Sequence, residues 1–372
     1  MAPTLGPLQP AAGEAEALEL AEVERRLAAA IQATPDRTRA STLNLICCAE
    51  NAADAQALAA ELATLARRHP GRILLVSPAA AAARGAAPGE WRARILWASA
   101  GEGPICGEIV QLEAAGMALL SASMAVAPLL LGQVPVFLWW RGEDPIDNPR
   151  FEDLAAISDR ILLDSQALAY EPEAFLRLAE AQRRLHHHGC VSDLTWTRLT
   201  RWRQMIAQAF DSSAAMRQLG CIEAVSFEAT GGEPAVNCGS LLLAGWLASR
   251  LRWRPARRIG PAELELTAPG GGAVRMSFQA GARPAASGYL LSAVSLRSRD
   301  GLLATVARGG DKIKLALHSG DATLACLTTS FPTFTLTDAL RSELDHLRPD
   351  PVAEQAMTAS VELMYLLGTK RS

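Results

Sequence analysis

The chain has 372 residues, enough for about two domains. Hydrophobic residues make up 49% and charged residues 20%, so the composition excludes an intrinsically disordered chain and permits sizeable cores. The net charge of −3 argues against a general nucleic-acid binder, and no apolar run reaches the ~18 residues of a membrane span.

The opening stretch MAPTLGPLQPAAGEAEALEL has no basic n-region and no long apolar core. No secretory signal is read there, and the cytoplasm is the expected compartment. Residues 1–13, rich in Pro, Ala and Gly, read as a mobile tail. Leu20, Val23, Leu27 and Ile31 recur at helical spacing, and Thr34-Pro35-Asp36 ends that helix. Thr42–Cys48 (TLNLICC) reads as a strand. Asp54 is placed to cap a helix reaching about His69, with Leu58, Leu62 and Leu65 on one face. Strands are predicted at Arg72–Ser77, Arg94–Ala98, Cys106–Leu112, Val134–Trp140 and Arg160–Asp164, with helix over 113–131 as far as Pro128. Continuous apolar strands between helices predict a mostly parallel sheet covered on both faces.

Near residue 190 the pattern changes. Ser192 or Asp193 is placed to cap a helix through Phe210, whose stripe is Trp196, Leu199, Trp202, Ile206 and Phe210. A further helix is read over about Asn237–Trp253. From 262 to 330 the period becomes two: AELELT, VRMSF, VSLRS and IKLAL, separated by glycine turns, predict an antiparallel meander with one wet face. Helices over about Thr337–Leu347 and Pro351–Leu367 finish the chain. The predicted organisation is an N-terminal tail and helix (1–36), an α/β domain with a mostly parallel sheet (37–190), and an α+β domain with an antiparallel sheet (191–372).

Chemistry-bearing motifs are absent. No GxGxxG follows the first strand, no GxxxxGK[ST], GxSxG or HExxH occurs, and the first strand runs into Ala49-Glu50-Asn51, where an acidic residue opposes phosphate. His186-His187-His188 point about 100° apart on a helix and do not converge on one ion, so no metal and no cofactor are expected. The seven cysteines are scattered without a CxxC, which suits a reducing compartment and buried thiols. Cys47 and Cys48 should face opposite sides of their strand. Arginine is concentrated at Arg250, Arg252, Arg254, Arg257 and Arg258, read as a helix end and the following turn, with Arg198, Arg201 and Arg203 off the apolar stripe of the helix before it. Such a cluster either complements a helix dipole or docks an acidic partner.

Six stretches in order, TRASTLNLICCAEN (38–51), RHPGRILLVSP (68–78), GPICGEIVQLEAAG (103–116), APLLLGQVPVFLWWRG (127–142), SDRILLDS (158–165) and DLTWTRLTRWR (193–203), resemble the OpcA family, glucose-6-phosphate dehydrogenase assembly factors of cyanobacteria and actinobacteria. The resemblance covers roughly 38–210, and 242–253 with the closing sheet is compatible with it. It implies a non-enzymatic activator that binds glucose-6-phosphate dehydrogenase, favours its active oligomer and feeds the oxidative pentose phosphate pathway. In cyanobacterial members it also implies thioredoxin-linked redox control. A second reading is an α/β enzyme or regulatory protein for a sugar phosphate, with Trp139-Trp140-Arg141 at a strand's carboxyl end stacking a sugar and holding a phosphate. Alternation sends Trp139 and Trp140 to opposite faces, so one indole is expected in the core and the other at an exposed rim beside Arg141. The residues expected to meet a partner are Trp139, Trp140, Arg141, Arg198, Arg201, Arg250, Arg252 and Arg254.

Overall fold

The computed structural model describes residues 9–10, 20–32, 41–79, 91–99, 105–141, 144–167, 172–185, 190–231, 234–281 and 290–368. The readings at residues 1–8 and 11–13, Thr34-Pro35-Asp36 and His186-His187-His188 lie outside them. The chain divides into two compact units. One comprises Met1–Ala167, Glu180–Ser192 and Leu340–Pro349; the other comprises Leu168–Ala179, Asp193–Ala339 and Asp350–Ser372.

The first unit holds strands β1 (Gln9–Pro10), β2 (Leu43–Cys48), β3 (Gly71–Pro78), β4 (Arg92–Ser99), β5 (Ile105–Ala114), β6 (Val136–Trp139), β7 (Arg160–Leu163) and β8 (Cys190–Asp193). Its helices are α1 (Leu20–Gln32), α2 (Ala52–Ala66), α3 (Ala122–Val126) and α4 (Pro149–Ala155); the division between units falls within α5 (Pro172–Leu185). The sheet order is β1-β4-β5-β3-β2-β6-β7-β8. Strands β5, β3, β2, β6 and β7 run parallel, and β4 joins β5 antiparallel. All six residues of β2 are buried, as expected of a strand covered on both faces. Apolar β-branched and leucine side chains fill both faces, which is why the sequence shows runs and no alternation there.

Two polar ties lie inside this sheet. Asn44 of β2 donates to the Leu131 carbonyl at 3.0 Å and accepts from the Leu131 amide at 2.8 Å, pinning the segment that enters β6. Arg72 and Glu108 are register partners on β3 and β5, both buried, and pair at 3.3 Å. Gly71 sits where a Cβ would collide with the Leu43 carbonyl, so glycine is required for β3 to enter beside β2.

The stretch read as one helix over 113–131 is instead the end of β5, then a 3-10 turn (Gly116–Ser121), α3 and a second 3-10 turn (Ala127–Leu129). Gly116 takes φ +62° where the strand ends, and Pro128 has no N–H to continue the helix. The cap of α2 is also reassigned. Asn51 caps it, accepting from Ala53 N and Asp54 N at 3.0 Å each, while Asp54 lies in the first turn. Strand β8, CVSD, has no alternation to reveal it.

The second unit begins with α6 (Leu194–Arg198) and α7 (Thr200–Gln208), separated at Leu199, where a single helix through Phe210 was expected. Asp193 caps α6 through Thr195 N. Trp196, Leu199, Trp202, Ile206 and Phe210 are all buried, as their spacing predicts. Helices α8 (Ser213–Gln218) and α9 (Cys238–Leu251) follow, with α10 (Leu336–Leu344), within which the division between units falls, and α11 (Pro351–Leu367) at the C-terminal end. Asn237 and Ser240 cap α9 reciprocally. Gly245 of α9 lies against α11: a Cβ there would strike the Ala356 carbonyl and the Ser360 hydroxyl.

Its sheet comprises β9 (Ile222–Ala229), β10 (Arg254–Gly260), β11 (Glu263–Thr267), β12 (Ala273–Gln279), β13 (Leu291–Ser298), β14 (Leu302–Gly309), β15 (Lys312–Ser319) and β16 (Ala322–Ser330). The order is β10-β11-β12-β9-β13-β14-β15-β16. All neighbours are antiparallel except β9 and β12, so the predicted meander is split by the inserted β9. Inward residues such as Val294, Leu296, Val306, Ile313 and Leu315 are buried while their neighbours alternate outward, matching the period of two. Arg254, Arg257 and Arg258 stand on β10, a strand, where the sequence suggested a turn.

Candidate functional site

In an open α/β sheet, ligands bind beyond the carboxyl ends of the strands where the winding direction reverses. In the first unit that point lies between β2 and β6: from β2 the chain winds through β3 to β5, and from β6 it proceeds to β7 on the other side. The end of β6 is Trp139, followed by Trp140 and Arg141, so the residues singled out from the sequence do sit at the switch point.

Cys47 and Trp139 are register partners. Arg141 lies over the Trp139 ring at 5.0 Å and pairs with Asp54 of α2 at 3.2 Å, with about a fifth of each charged side chain exposed (23% and 19%). Trp140 packs edge-on against Phe151 of α4, centroids 5.2 Å apart, and Arg150 lies over its ring at 4.9 Å. The two indoles thus have different surroundings, as alternation requires. The expectation that one of them reaches an exposed rim is corrected: Trp139 is 1% exposed and Trp140 2%. The cause is α4. A buried Phe151 and a cation from the same helix close over Trp140, and no spacing rule shows that a helix 10 residues later covers this face. Neither indole is available to a partner in this conformation; Arg141 is the residue of the trio that reaches solvent.

The chemistry at this end is inward. The first-turn amides of α2, which in phosphate-binding folds receive an anion, are met by the protein's own oxygens. Asn51 Oδ1 takes two of them, and Asp54 Oδ2 accepts from the Glu50 amide at 3.0 Å. Asn51 Oδ1, Asp54 Oδ2 and the Asp54–Arg141 pair stand where a pyrophosphate would need donors. Cys47 is not a nucleophile here. Burial, first, and the neighbouring Cys48 push its thiol well above the ordinary value, against a smaller opposing effect of Arg141. Cys48, also buried, is pushed up to about 12, with Arg150 opposing. Two N–H atoms stay buried with no hydrogen-bond partner, Trp139 Nε1 and Arg141 Nη1. No group of three or more potential metal ligands occurs among the described residues.

The remaining arginines lie on the second unit. Arg201, Arg250, Arg252 and Arg254 are exposed and Arg198 is half-buried. Arg250 bonds Gln355 at 3.0 Å and Arg201 bonds Gln204 at 3.3 Å. Arg252 ends α9 in the left-handed region, φ 56°. Arg257 pairs bidentately with Glu265 at 3.0 Å, and Arg258 bonds the Gly260 and Pro261 carbonyls, so these two stitch the sheet edge. Arg203 covers Trp196 at 3.5 Å, and the Trp196 Nε1 donates to Asp350 at 2.9 Å; neither contact has a sequence signal, since Asp350 is 154 residues away.

Residues 62–180 match the domain family described as the N-terminal domain of the glucose-6-phosphate dehydrogenase subunit; residues 190–357 match the family described as its C-terminal domain. A protein of Nostoc punctiforme named "Putative OxPP cycle protein OpcA" is 38% identical over 153 residues, 41% of this chain and 31% of that protein. Its namesake in Synechocystis is 29% identical over 151 residues, 41% of this chain and 30% of the relative. The aligned stretch therefore spans about a third of these relatives' length. Among solved structures, the apo scyllo-inositol dehydrogenase of Lactobacillus casei aligns with TM-score 0.43 and 11% identity, covering 88% of this chain and 97% of that one. At that identity the likeness says nothing of chemistry.

Proposed function

The chain belongs to the OpcA family of glucose-6-phosphate dehydrogenase assembly proteins, and from that premise we propose that it is a non-enzymatic partner that binds glucose-6-phosphate dehydrogenase, favours its active oligomer and raises its activity. The observation that carries this reading is the pair of domain-family matches, which together run from 62 to 357 with a short gap. The switch point supports it. The amides and charges that would serve a nucleotide are committed to Asn51, Asp54 and Arg141.

The mechanism is linkage. A protein that binds one oligomeric or conformational state of an enzyme better than another shifts the population toward that state. A differential affinity of ~1–3 kcal/mol changes apparent substrate affinity roughly 5- to 150-fold without adding a catalytic group. The partner-facing residues we infer on the second unit are basic: Arg201, Arg250, Arg252 and Arg254, which are exposed, and the half-buried Arg198; on the first unit, taken by itself, the inferred residue is Arg141. The residue we infer for thioredoxin-linked control is Cys326, the exposed thiol among the described cysteines. The test is to add purified chain to its cognate dehydrogenase and follow both oligomer mass and the Michaelis constant for glucose 6-phosphate. A larger oligomer and a lower constant support the proposal; no change in either refutes it. Thermal shifts with sugar phosphates separate the second reading, since a regulatory ligand raises the melting temperature of this chain alone.

A further inference from the structure

The sheet of the second unit turns one face to its core, and the alternate residues of each strand form the other face. Such a wet face is ordinarily polar. Here its middle is small and uncharged. Ser277, Ser226, Ser295, Thr305 and Ala316 stand side by side in register across β12, β9, β13, β14 and β15. Ala293 and Ala307, themselves register partners, lie beside this row. Among the described residues these small side chains are half-buried, and no long side chain rises from the row. Charge is placed around it by sign. Glu263 and Glu265 stand on β11, second in the order of eight strands; Lys312, Lys314 and His318 stand on β15, the seventh. Near the centre line, Arg297 of β13 pairs with Glu223 of β9 at 3.3 Å.

We propose that this face is a homodimer interface: two copies of this chain stack their sheets face to face about a two-fold axis that runs along the strands, between β9 and β13. A second copy is the occupant because the face is complementary to itself in charge. The axis exchanges β11 with β15, β12 with β14 and β9 with β13. Glu265 then lies opposite His318 of the second copy, Glu263 beside its Lys314, and Arg297 opposite its Glu223. Arg275 of β12 meets Leu303 of the second copy's β14, so no like charges are directly opposed. An axis across the strands is excluded, because it sets β11 on β11 and β15 on β15, like charge on like. The small residues along the axis let the two planes approach to the ~10 Å at which aligned sheets pack. Six strands from β11 to β15, about 4.8 Å apart and about seven residues long at about 3.3 Å each, present about 650 Å² as a flat plane. Side-chain relief adds to that, bringing it close to the ~800 Å² per partner of a standard interface.

The full-length chain alone tests this. Light scattering after size exclusion is expected to give twice the chain mass. Ser226 and Ser295 are register partners astride the axis, so each faces the other's equivalent in the second copy. Ser295→Lys brings two ammonium groups together at the axis, and Ser226→Glu brings two carboxylates together. Each variant is expected to halve the mass without altering the circular dichroism, because both positions point away from the core. An equimolar mixture of the two variants is expected to regain the dimer, since the lysine of one chain then meets the glutamate of the other. A natural chain that is monomeric at all concentrations overturns the proposal. So does a dimer that both variants leave intact, or a pair of monomeric variants whose mixture stays monomeric. If the natural chain alone is a monomer and the variants lose dehydrogenase binding, the face belongs to that partner and the homodimer is refuted.

Discussion

Arg160 offers the sharpest test of how the first unit is held together. It stands on β7, 3% exposed, and donates to the Ser192 hydroxyl at 2.6 Å, the Arg348 carbonyl at 2.9 Å and Glu343 at 2.6 Å. All three partners belong to the same unit, and two come from Leu340–Pro349, a segment that returns from the C-terminal end of the chain. Arg160→Leu keeps much of the volume and removes the guanidinium. It leaves the Glu343 carboxylate, 12% exposed, without this cation, and breaking one side of a buried pair costs about 3–5 kcal/mol. The two neutral hydrogen bonds each contribute about 1 kcal/mol, but they share one side chain and do not simply add. We expect a loss of about 4 kcal/mol, which on a urea slope of about 2 kcal/mol/M moves the midpoint by about 2 M. Removing both charges (Arg160→Leu with Glu343→Leu) is expected to recover most of the loss, since a pair replaced by apolar residues is often nearly neutral. Urea unfolding by tryptophan fluorescence gives the midpoints, and native-state hydrogen exchange over 336–349 localises the effect. A single-variant loss below about 1 kcal/mol, or a double variant whose loss equals the sum of the singles, would refute the reasoning.

Four further outcomes are expected. Gly245→Ala drives a methyl into the Ala356 carbonyl and Ser360 of the facing helix, and such overpacking costs about 1–3 kcal/mol, more than the roughly 1 kcal/mol gained in helix propensity; a melting temperature that rises would refute it. Trp140→Ala, which empties the space against Phe151 and Arg150, is expected to cost about 3–5 kcal/mol, while Arg141→Ala, a partly exposed pair, costs about 1 kcal/mol or less and, on the basic-surface proposal, weakens activation of the dehydrogenase. His69 is held below its ordinary value of 6.5, chiefly by burial and against the opposing pull of Asp345. The folded chain therefore binds its proton less readily than the unfolded chain, and its contribution is full above 6.5 and falls away as pH drops below it; urea midpoints at pH 7.5 and 5.5 should converge in His69→Gln. At pH 8 a thiol reagent should modify Cys326 at once and reach Cys47 and Cys48 only on unfolding, because burial keeps those two protonated.

Local chemistry made much of the fold legible. LNLICC and RILLVS are apolar without alternation because both faces of their strands are covered, and AELELT or IKLAL alternate because one face is wet. The helices α9 and α11 begin and end close to where spacing and caps place them, and Leu20, Val23, Leu27 and Ile31 fall within α1 as their spacing predicts. The stripe of α6 and α7 is buried residue for residue, although the break at Leu199 was not foreseen.

Partnership over distance was not legible. Asn51 and Asp54 are both competent caps, and the choice fell to Asn51 while Asp54 bonds Glu50 and Arg141. RPARRIG carries no strand pattern of its own and becomes β10 by pairing with β11. β9 enters the middle of its sheet beside a strand some 50 residues later, which period two does not encode. The sequence by itself determined which segments are strands and helices, which faces are apolar, and that the two tryptophans after Leu138 diverge. Only the tertiary structure decided that both are buried, because a side chain's exposure depends on what packs over its face, and α4 supplies that cover.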